Sequence, residues 1–443
     1  MGGVGKTLLL REVYWSWKVR AHFQGATFIW LTVGQNPDVL SLYRSITDEM
    51  GSKPNEHSNM VDYKQKLERE LSRNRVFLVL DDVWKDEDFD ALDLGKGEGS
   101  VTLLTTRDKS ILQRPCISQE HMETLSPEDS WSLFCVHAFG TSSSVPHRLE
   151  ASAKSMAKEC GGLPLALKVI GAAMFGKTSD EHEWKPLLKK LKESRLKERT
   201  MKNELYERLK LGYDVLKEDD PRLEDCFTYF AAFPEDHEVE FEILLWCWIG
   251  EGLLDEDLDV ESDEESDEEV FPQYKVHDVM RDLAFYILQI DGGTTPAQQL
   301  ALYQAGQNLT EFPPKWITEC KQLLKAHRLS LHNNRLERLP STFCAPELLT
   351  LLLGDNLISD VPAGFLKGIQ NLRVLDLSYG CFQNLPEELG NLKHLVYLNL
   401  TNSCLEELPE SIKNLQMLRN LNLSYCRSLR YLPSGLVGLE SLQ

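Results

Sequence analysis

The chain is 443 residues long, enough for about three units that each bury a core, since domains run to roughly 150 residues. Its 42% hydrophobic and 26% charged residues lie near the averages for soluble globular proteins, and no uninterrupted apolar run reaches membrane-spanning length, so no transmembrane segment is expected. A net charge of −21 opposes a nucleic-acid partner, because affinity for phosphate backbones comes from clustered Lys and Arg, and ten cysteines without paired short spacings suggest neither a zinc site nor a disulfide framework and fit a reducing cytosol.

The first element is Met1-Gly2-Gly3-Val4-Gly5-Lys6-Thr7, which supplies all but the first glycine of a GxxxxGK[ST] phosphate loop and runs into the apolar helix start Leu8-Leu9-Leu10. Glycines let successive backbone N–H groups approach phosphate oxygens, Lys6 adds a point charge, and the Thr7 hydroxyl can ligate Mg²⁺. Gly2, Gly3, Val4, Gly5, Lys6, Thr7 and Leu8 are therefore the candidate nucleotide-binding residues. Residues 1–125 go on to alternate helical patterns with apolar runs at Ala26 to Val33, Val76 to Leu80 and Val101 to Thr105, which predicts a parallel sheet covered by helices.

The second run ends in Asp81 and Asp82, which a buried strand would deliver to the carboxyl edge of the sheet. There Asp81 can support Mg²⁺ and Asp82 can orient or deprotonate an attacking water; for an isolated Asp-Asp, a turn or helix cap is the simpler assignment. The third run ends at Arg107, placed to contact a terminal phosphate or to make a surface salt bridge.

From 126 to 290 helical patterns take over. Ser126-Pro127-Glu128-Asp129 reads as a helix start, and Gly161-Gly162-Leu163-Pro164-Leu165-Ala166 as a turn with Pro164 opening a helix that runs to Met174. The basic stretch Lys185 to Lys202, interleaved with Glu193 and Glu198, reads as a solvated helix face. Between Asp255 and Glu269 eleven of fifteen residues are acidic, the composition of a self-repelling, disordered insertion. Residues 291–325 read as a linker.

Residues 326–443 repeat LxLxxNxLxxLP or a close variant five times. The pairs Leu329/Leu331, Leu351/Leu353, Leu375/Leu377, Leu398/Leu400 and Leu421/Leu423 mark strands, and prolines 340, 362, 386, 409 and 433 keep spacings of 22, 24, 23 and 24 residues. That period defines a leucine-rich-repeat solenoid in which stacked repeats bury one another's leucines. Binding information would then lie at strand-face positions such as His332, Asp355, Ser378, Tyr379, Asn399, Thr401 and Tyr425. The phosphate loop starts at Met1 without a preceding strand, and a sixth repeat opens at Leu439 and Leu442, so the sequence reads as cut at both ends.

The order of these motifs resembles the NB-ARC module of plant disease resistance proteins. Phe28 to Val33 looks like its second strand, Leu80-Asp81-Asp82-Val83-Trp84 like its second kinase motif, and Thr105-Thr106-Arg107, Leu125 to Phe134 and Gly162-Leu163-Pro164-Leu165 like the motifs that follow. Cys226 to Asp236, Leu245 to Gly252 and Val276-His277-Asp278 resemble the winged-helix part, with Val276 where the family has Met. The resemblance implies a multidomain fold: an α/β P-loop NTPase domain at 1–125 lacking its first strand, a helical subdomain at 126–200, a winged-helix subdomain at 201–290 with the insertion 255–269, and the α/β repeat solenoid. It implies an ADP-off, ATP-on switch using Mg²⁺, at most a slow ATPase, in which Asp82 assists hydrolysis, Arg107 senses the terminal phosphate, Pro164 packs near adenine and His277 touches the ADP phosphate. Trp84 is typical of relatives with an N-terminal coiled coil. Implied partners are a pathogen effector or guarded host protein at the repeats, with self-association on activation, in the cytoplasm and, for full-length relatives, at the plasma-membrane periphery. The alternative is a nucleotide-independent repeat scaffold.

Overall fold

The computed structural model describes residues 3–35, 37–51, 60–94, 96–108, 110–114, 117–140, 145–177, 181–197, 206, 209–215, 217, 220, 222–234, 237–254, 273–275, 278–291, 301–318 and 325–442. The chain divides into two compact units, Met1–Asp220 and Pro221–Gln443.

In the first unit the three apolar runs form a parallel sheet in the order β1 (Thr27–Gly34), β2 (Val76–Val83), β3 (Val101–Thr106). Leu31 lies opposite Leu80, and Leu80 opposite Leu104. Successive side chains point to opposite faces, so β2 feeds two cores. Phe77 and Val79 pack with Leu10 and Tyr14 of α1 (Lys6–Trp15) and Val19 of α2 (Trp17–His22). Leu78 and Leu80 join Ile29 and Leu31 against α3 (Val39–Glu49), α4 (Met60–Leu71) and α5 (Asp86–Leu92). With both faces covered, every residue of β2 is buried, its two carboxylates included.

A helical cluster follows: α6 (Pro127–Phe139), α7 (Glu150–Glu159), α8 (Pro164–Ala173) and α9 (Glu181–Lys197). Ser126 caps α6, its hydroxyl accepting the Asp129 amide at 3.0 Å, and Pro127 and Pro164 each open a helix where a missing N–H costs nothing. α6 and α8 approach closely at Gly171, where a Cβ would stand 2.9 Å from His137 Cβ. Trp184 of α9 is fully buried and stacks on Phe139 at 5.5 Å between centroids, while Lys185, Lys189, Lys190 and Lys192 face outward, as a solvated helix face requires.

The second unit begins with α10 (Arg222–Thr228), a short 3₁₀ turn at Tyr229–Ala232, and β4 (Glu238–Glu240) leading into α11 (Phe241–Glu251). β5 (Gln273–Lys275) pairs antiparallel with β4, Val239 opposite Tyr274, and α12 (Asp278–Asp291) follows. The acidic run 255–269 lies outside the described residues.

Six parallel strands then stack in chain order: β6 (Ala301–Tyr303), β7 (Arg328–Ser330), β8 (Thr350–Leu352), β9 (Val374–Asp376), β10 (Tyr397–Asn399) and β11 (Asn420–Asn422). The paired leucines of every repeat converge on one core. The linker expectation for 291–325 is corrected here, because β6 pairs in register with β7 and Phe312 is buried in the repeat core with Leu302, Leu309 and Trp316 against it. Gln304 replaces the second leucine of the pair and Phe312-Pro313 replaces Leu-Pro, but burial of Phe312, partial burial of Leu302 and Leu309, and the strand hydrogen bonds suffice to extend the stack. The asparagines of the consensus tie repeats together: Asn334 and Asn356 each accept a neighbouring repeat's amide at 3.0 Å and donate to the Leu331 carbonyl at 2.9 Å.

Candidate functional site

Gly3 and Gly5 have φ values of 73° and 98°, a region where a Cβ is strained, so the backbone can reverse sharply in front of α1. Gly5 is the N-cap of α1, has no side-chain cap and is followed by no acidic residue in the first turn. Gly5 brings no capping side chain, so the first turn of α1 opens directly at the loop, the arrangement that binds anions through N–H groups and the helix dipole. Leu8 itself is 59% exposed, so only its backbone belongs to this turn. The amide of Leu165, next to Pro164, donates to the Gly3 carbonyl at 3.4 Å, which fixes the start of α8 beside the loop.

Asp81 and Asp82 stand at the carboxyl end of β2 and are 2% and 6% exposed. Asp81 Oδ1 accepts the Thr7 hydroxyl at 3.1 Å and the Thr105 hydroxyl at 2.5 Å. The register of β2 against β3 shifts between Leu80 and Val83, and Asp82 takes a left-handed φ of 57° there. That twist turns its side chain toward Trp84, whose Nε1 donates at 2.7 Å, and toward Arg107, whose Nε lies 3.3 Å away. The Arg107 guanidinium also lies over the Trp84 ring, 5.0 Å from its centroid, and the Asp82 amide donates to Thr105 Oγ1 at 2.8 Å.

The fold thus brings together Gly3, Val4, Gly5, Lys6, Thr7, Asp81, Asp82, Arg107 and Pro164. Gly2 and His277 lie outside the described residues. Thr105 and Trp84 complete the arrangement although their side chains carried no role expected from the sequence: Thr105 reaches Asp81 from the neighbouring strand, and Trp84 meets Asp82 at the left-handed turn.

The donor set fits a nucleotide with Mg²⁺. The Thr7 hydroxyl and the Asp81 carboxylate meet at 3.1 Å, and these two oxygens would hold Mg²⁺, which would supply charge neutralisation of a bound phosphate. Among the described residues no cluster of three or more His, Cys, Asp or Glu side chains is placed to hold a metal alone. Such a site suits Mg²⁺, which keeps waters and phosphate oxygens among its ligands.

The outward face of the repeat sheet is a second feature. Its strand positions are partly apolar, and Leu352, Val374 and Tyr397 form one core with Tyr229, Ala232, Phe233, Val239, Leu244 and Cys247 of the 222–251 region. A sheet apolar on both faces is buried on both. Gly250 admits α11 to this face: a Cβ there would come 2.5 Å from Val374 Cγ2. Beside it Arg328 Nη2 meets Glu251 Oε2 at 2.6 Å, its guanidinium lies 4.4 Å from the Tyr229 ring centroid, and Thr350 Oγ1 donates to Glu251 at 2.6 Å. Burial and the Glu251 charge raise the Tyr229 phenol well above its ordinary pKa, so it remains a hydrogen-bond donor. Three strand-face positions expected to carry recognition are therefore covered by the chain itself, His332 at 4%, Ser378 at 4% and Asn399 at 1% exposure, whereas Asp355, Tyr379 and Tyr425 are exposed.

The NB-ARC domain family matches residues 1–144, and a leucine-rich repeat region matches residues 362–443. The probable disease resistance protein At4g27220 of Arabidopsis thaliana is 34% identical over 419 residues, covering 89% of this chain and 44% of that protein. Disease resistance proteins At4g27190 and RPS5 of the same plant are 31% and 30% identical, over 87% and 89% of this chain and 40% and 46% of their own lengths. The chain spans about half the length of the curated relatives it matches. No helix among the described residues is long and apolar enough to cross a membrane. The chain thus joins an NB-ARC domain, a nucleotide-binding module, to leucine-rich repeats, and is a homologue of plant disease resistance proteins.

Proposed function

We propose that this chain is the nucleotide switch and repeat portion of a plant immune receptor, off with ADP and on with ATP, reset by slow hydrolysis. The observation that carries the reading is the meeting of Thr7, Asp81, Asp82 and Arg107 at the carboxyl edge of β2, next to a glycine-turned helix start. Lys6 and the first-turn amides hold phosphate, Thr7 and Asp81 hold Mg²⁺, and the bound ion neutralises phosphate charge. Asp82 positions Arg107 and serves as the proton acceptor for an attacking water, while Arg107 distinguishes the presence of a terminal phosphate from its absence. Pro164 lines the base side of the site and His277, by family resemblance, contacts ADP. Switching requires each nucleotide to prefer one state, by roughly 5.5 kcal/mol to move a 1:99 mixture to 99:1.

The same reading gives the repeats two tasks, restraint of the off state and sensing of a pathogen effector or guarded host protein. The covered strand face supports the first, and the exposed Asp355, Tyr379 and Tyr425 offer positions for the second. Activated chains then self-associate, and the receptor works in the cytoplasm.

The test is to purify the folded chain, denature it and quantify released nucleotide by chromatography, beside Lys6→Ala. Stoichiometric ADP in the parent and its loss in the variant are expected. A folded parent that releases no nucleotide and binds none on addition of ADP with Mg²⁺ overturns the switch and leaves the repeat scaffold as the function.

A further inference from the structure

Eight free cysteines lie among the described residues, and two of them share one structural position in successive repeats. The strands of these repeats pair with a constant offset of 23 residues, Val374 opposite Tyr397 and Asp376 opposite Asn399. Beyond the strands the chain stays zipped in the same register: the Cys404 amide donates to the Gly380 carbonyl at 2.9 Å, the Glu406 amide to the Gln383 carbonyl at 2.8 Å, and Asn384 bridges Glu407. Cys381 and Cys404, also 23 apart, sit between these hydrogen bonds and so occupy the same rung, and both are exposed. Adjacent hydrogen-bonded strands are about 4.8 Å apart, within the roughly 4.4–6.8 Å between Cα atoms that a disulfide spans.

We propose that Cys381 and Cys404 form a peroxide-sensitive dithiol that closes into a disulfide linking two neighbouring repeats. One thiolate attacks a peroxide oxygen, the O–O bond breaks, and the products are a sulfenic acid and, after proton uptake, one water. The other thiol's sulfur then attacks the sulfenyl sulfur, the S–O bond breaks, and the departing hydroxide takes the thiol proton as a second water. Two thiols lose two electrons and two protons, and one hydrogen peroxide is reduced to two waters.

Partial burial first, then the nearness of Cys404, pushes the Cys381 thiol above its ordinary pKa, which disfavours its thiolate and leaves Cys404 to attack the peroxide and Cys381 to resolve the sulfenic acid. The other two cysteines of this region are built differently. Cys344 has no cysteine at the matching repeat position, and the half-buried Cys426 points its sulfur at the Leu400 carbonyl, 3.0 Å away. They serve as internal controls.

The experiment treats the full chain with hydrogen peroxide, blocks remaining thiols, digests with trypsin without reductant and weighs the peptides. Residues 374–393 and 394–413 are separate tryptic peptides with one cysteine each. A linked species two hydrogens lighter than their sum, reversed by dithiothreitol and absent in Cys381→Ser, is expected, with Cys404 of that variant trapped by a 1,3-dione as the sulfenic acid. Oxidation of the two cysteines without linkage, or equal linkage to Cys344 or Cys426, overturns the proposal. Either result is read independently of whether nucleotide binds.

Discussion

At Asp82 a single backbone angle sets which groups the carboxylate meets. Its left-handed φ directs the carboxylate to Trp84 and Arg107, and among residues with a Cβ, Asn adopts that region most readily after Gly. Asp82→Asn should therefore keep the fold, with a urea-unfolding loss of about 1–3 kcal/mol from the broken pairing with Arg107. ATP turnover should fall at least roughly 100-fold if Asp82 accepts the proton, while bound nucleotide is retained; undiminished turnover would reduce Asp82 to a positioning residue for Arg107. The carboxylates were legible because an apolar strand ending in Asp-Asp needs no tertiary knowledge. Thr105 and Trp84 were not, since the first contact exists only once β3 lies beside β2 and the second only once the chain turns at Asp82. Cys381 and Cys404 were hidden for another reason: a spacing of 23 residues looks random until it is recognised as one repeat.

His237 gives a second test at this scale. It stacks on Phe233, lies 3.2 Å from His332 through the Nε2 atoms and has Asp376 nearby, and burial, followed by His332, lowers its pKa to about 3. The unfolded chain, with an ordinary histidine near 6.5, then binds more protons than the folded one between those values. Stability conferred by the neutral ring is complete above the unfolded pKa and is lost as pH falls from about 6.5 toward 3. Going from pH 7 to 5 should cost the second unit about 1–2 kcal/mol in urea unfolding, and His237→Phe should flatten that dependence. An unchanged slope in the variant would assign the acid sensitivity to other groups.

Among the elements, α11 lies close against the repeat sheet. Gly250→Ala puts a methyl 2.5 Å from Val374 Cγ2, and such overpacking costs about 1–3 kcal/mol. Val374→Ala in the same chain should restore part of that loss, and the coupling of the two changes in a double-mutant cycle measures the contact. Additive effects would mean that α11 and β9 do not touch in solution. Strand, cap and proline positions were readable in advance because they rest on local periodicity and capping chemistry: Ser126, Pro127 and Pro164 stand where those rules put them. β6 escaped because Gln304 breaks the leucine pair and the step from Pro313 to Pro340 is 27 residues, longer than the others. Covering of the sheet by α11 left one trace, the outward Leu352, Val374 and Tyr397, which are wasteful on a wet surface.

For the whole molecule, two units with separate cores predict two calorimetric transitions. ADP with Mg²⁺ at about 100 times its dissociation constant should stabilise the first by roughly 2.7 kcal/mol and leave the second in place. An equal shift of both would show that they unfold as one. Arg328→Ala should lower only the later-numbered unit, by about 3–5 kcal/mol, because Glu251 would stay buried without its guanidinium.

The helix lying on the strand face is also an intramolecular competitor. A foreign protein seeking that face meets it vacant only in the fraction of molecules where the helix has lifted, and its apparent dissociation constant is the intrinsic one divided by that fraction. If closure is worth about 4 kcal/mol, the handicap is roughly a thousandfold. Weakening the Gly250 and Arg328 contacts would then sharpen recognition of such a partner without altering any residue that touches it.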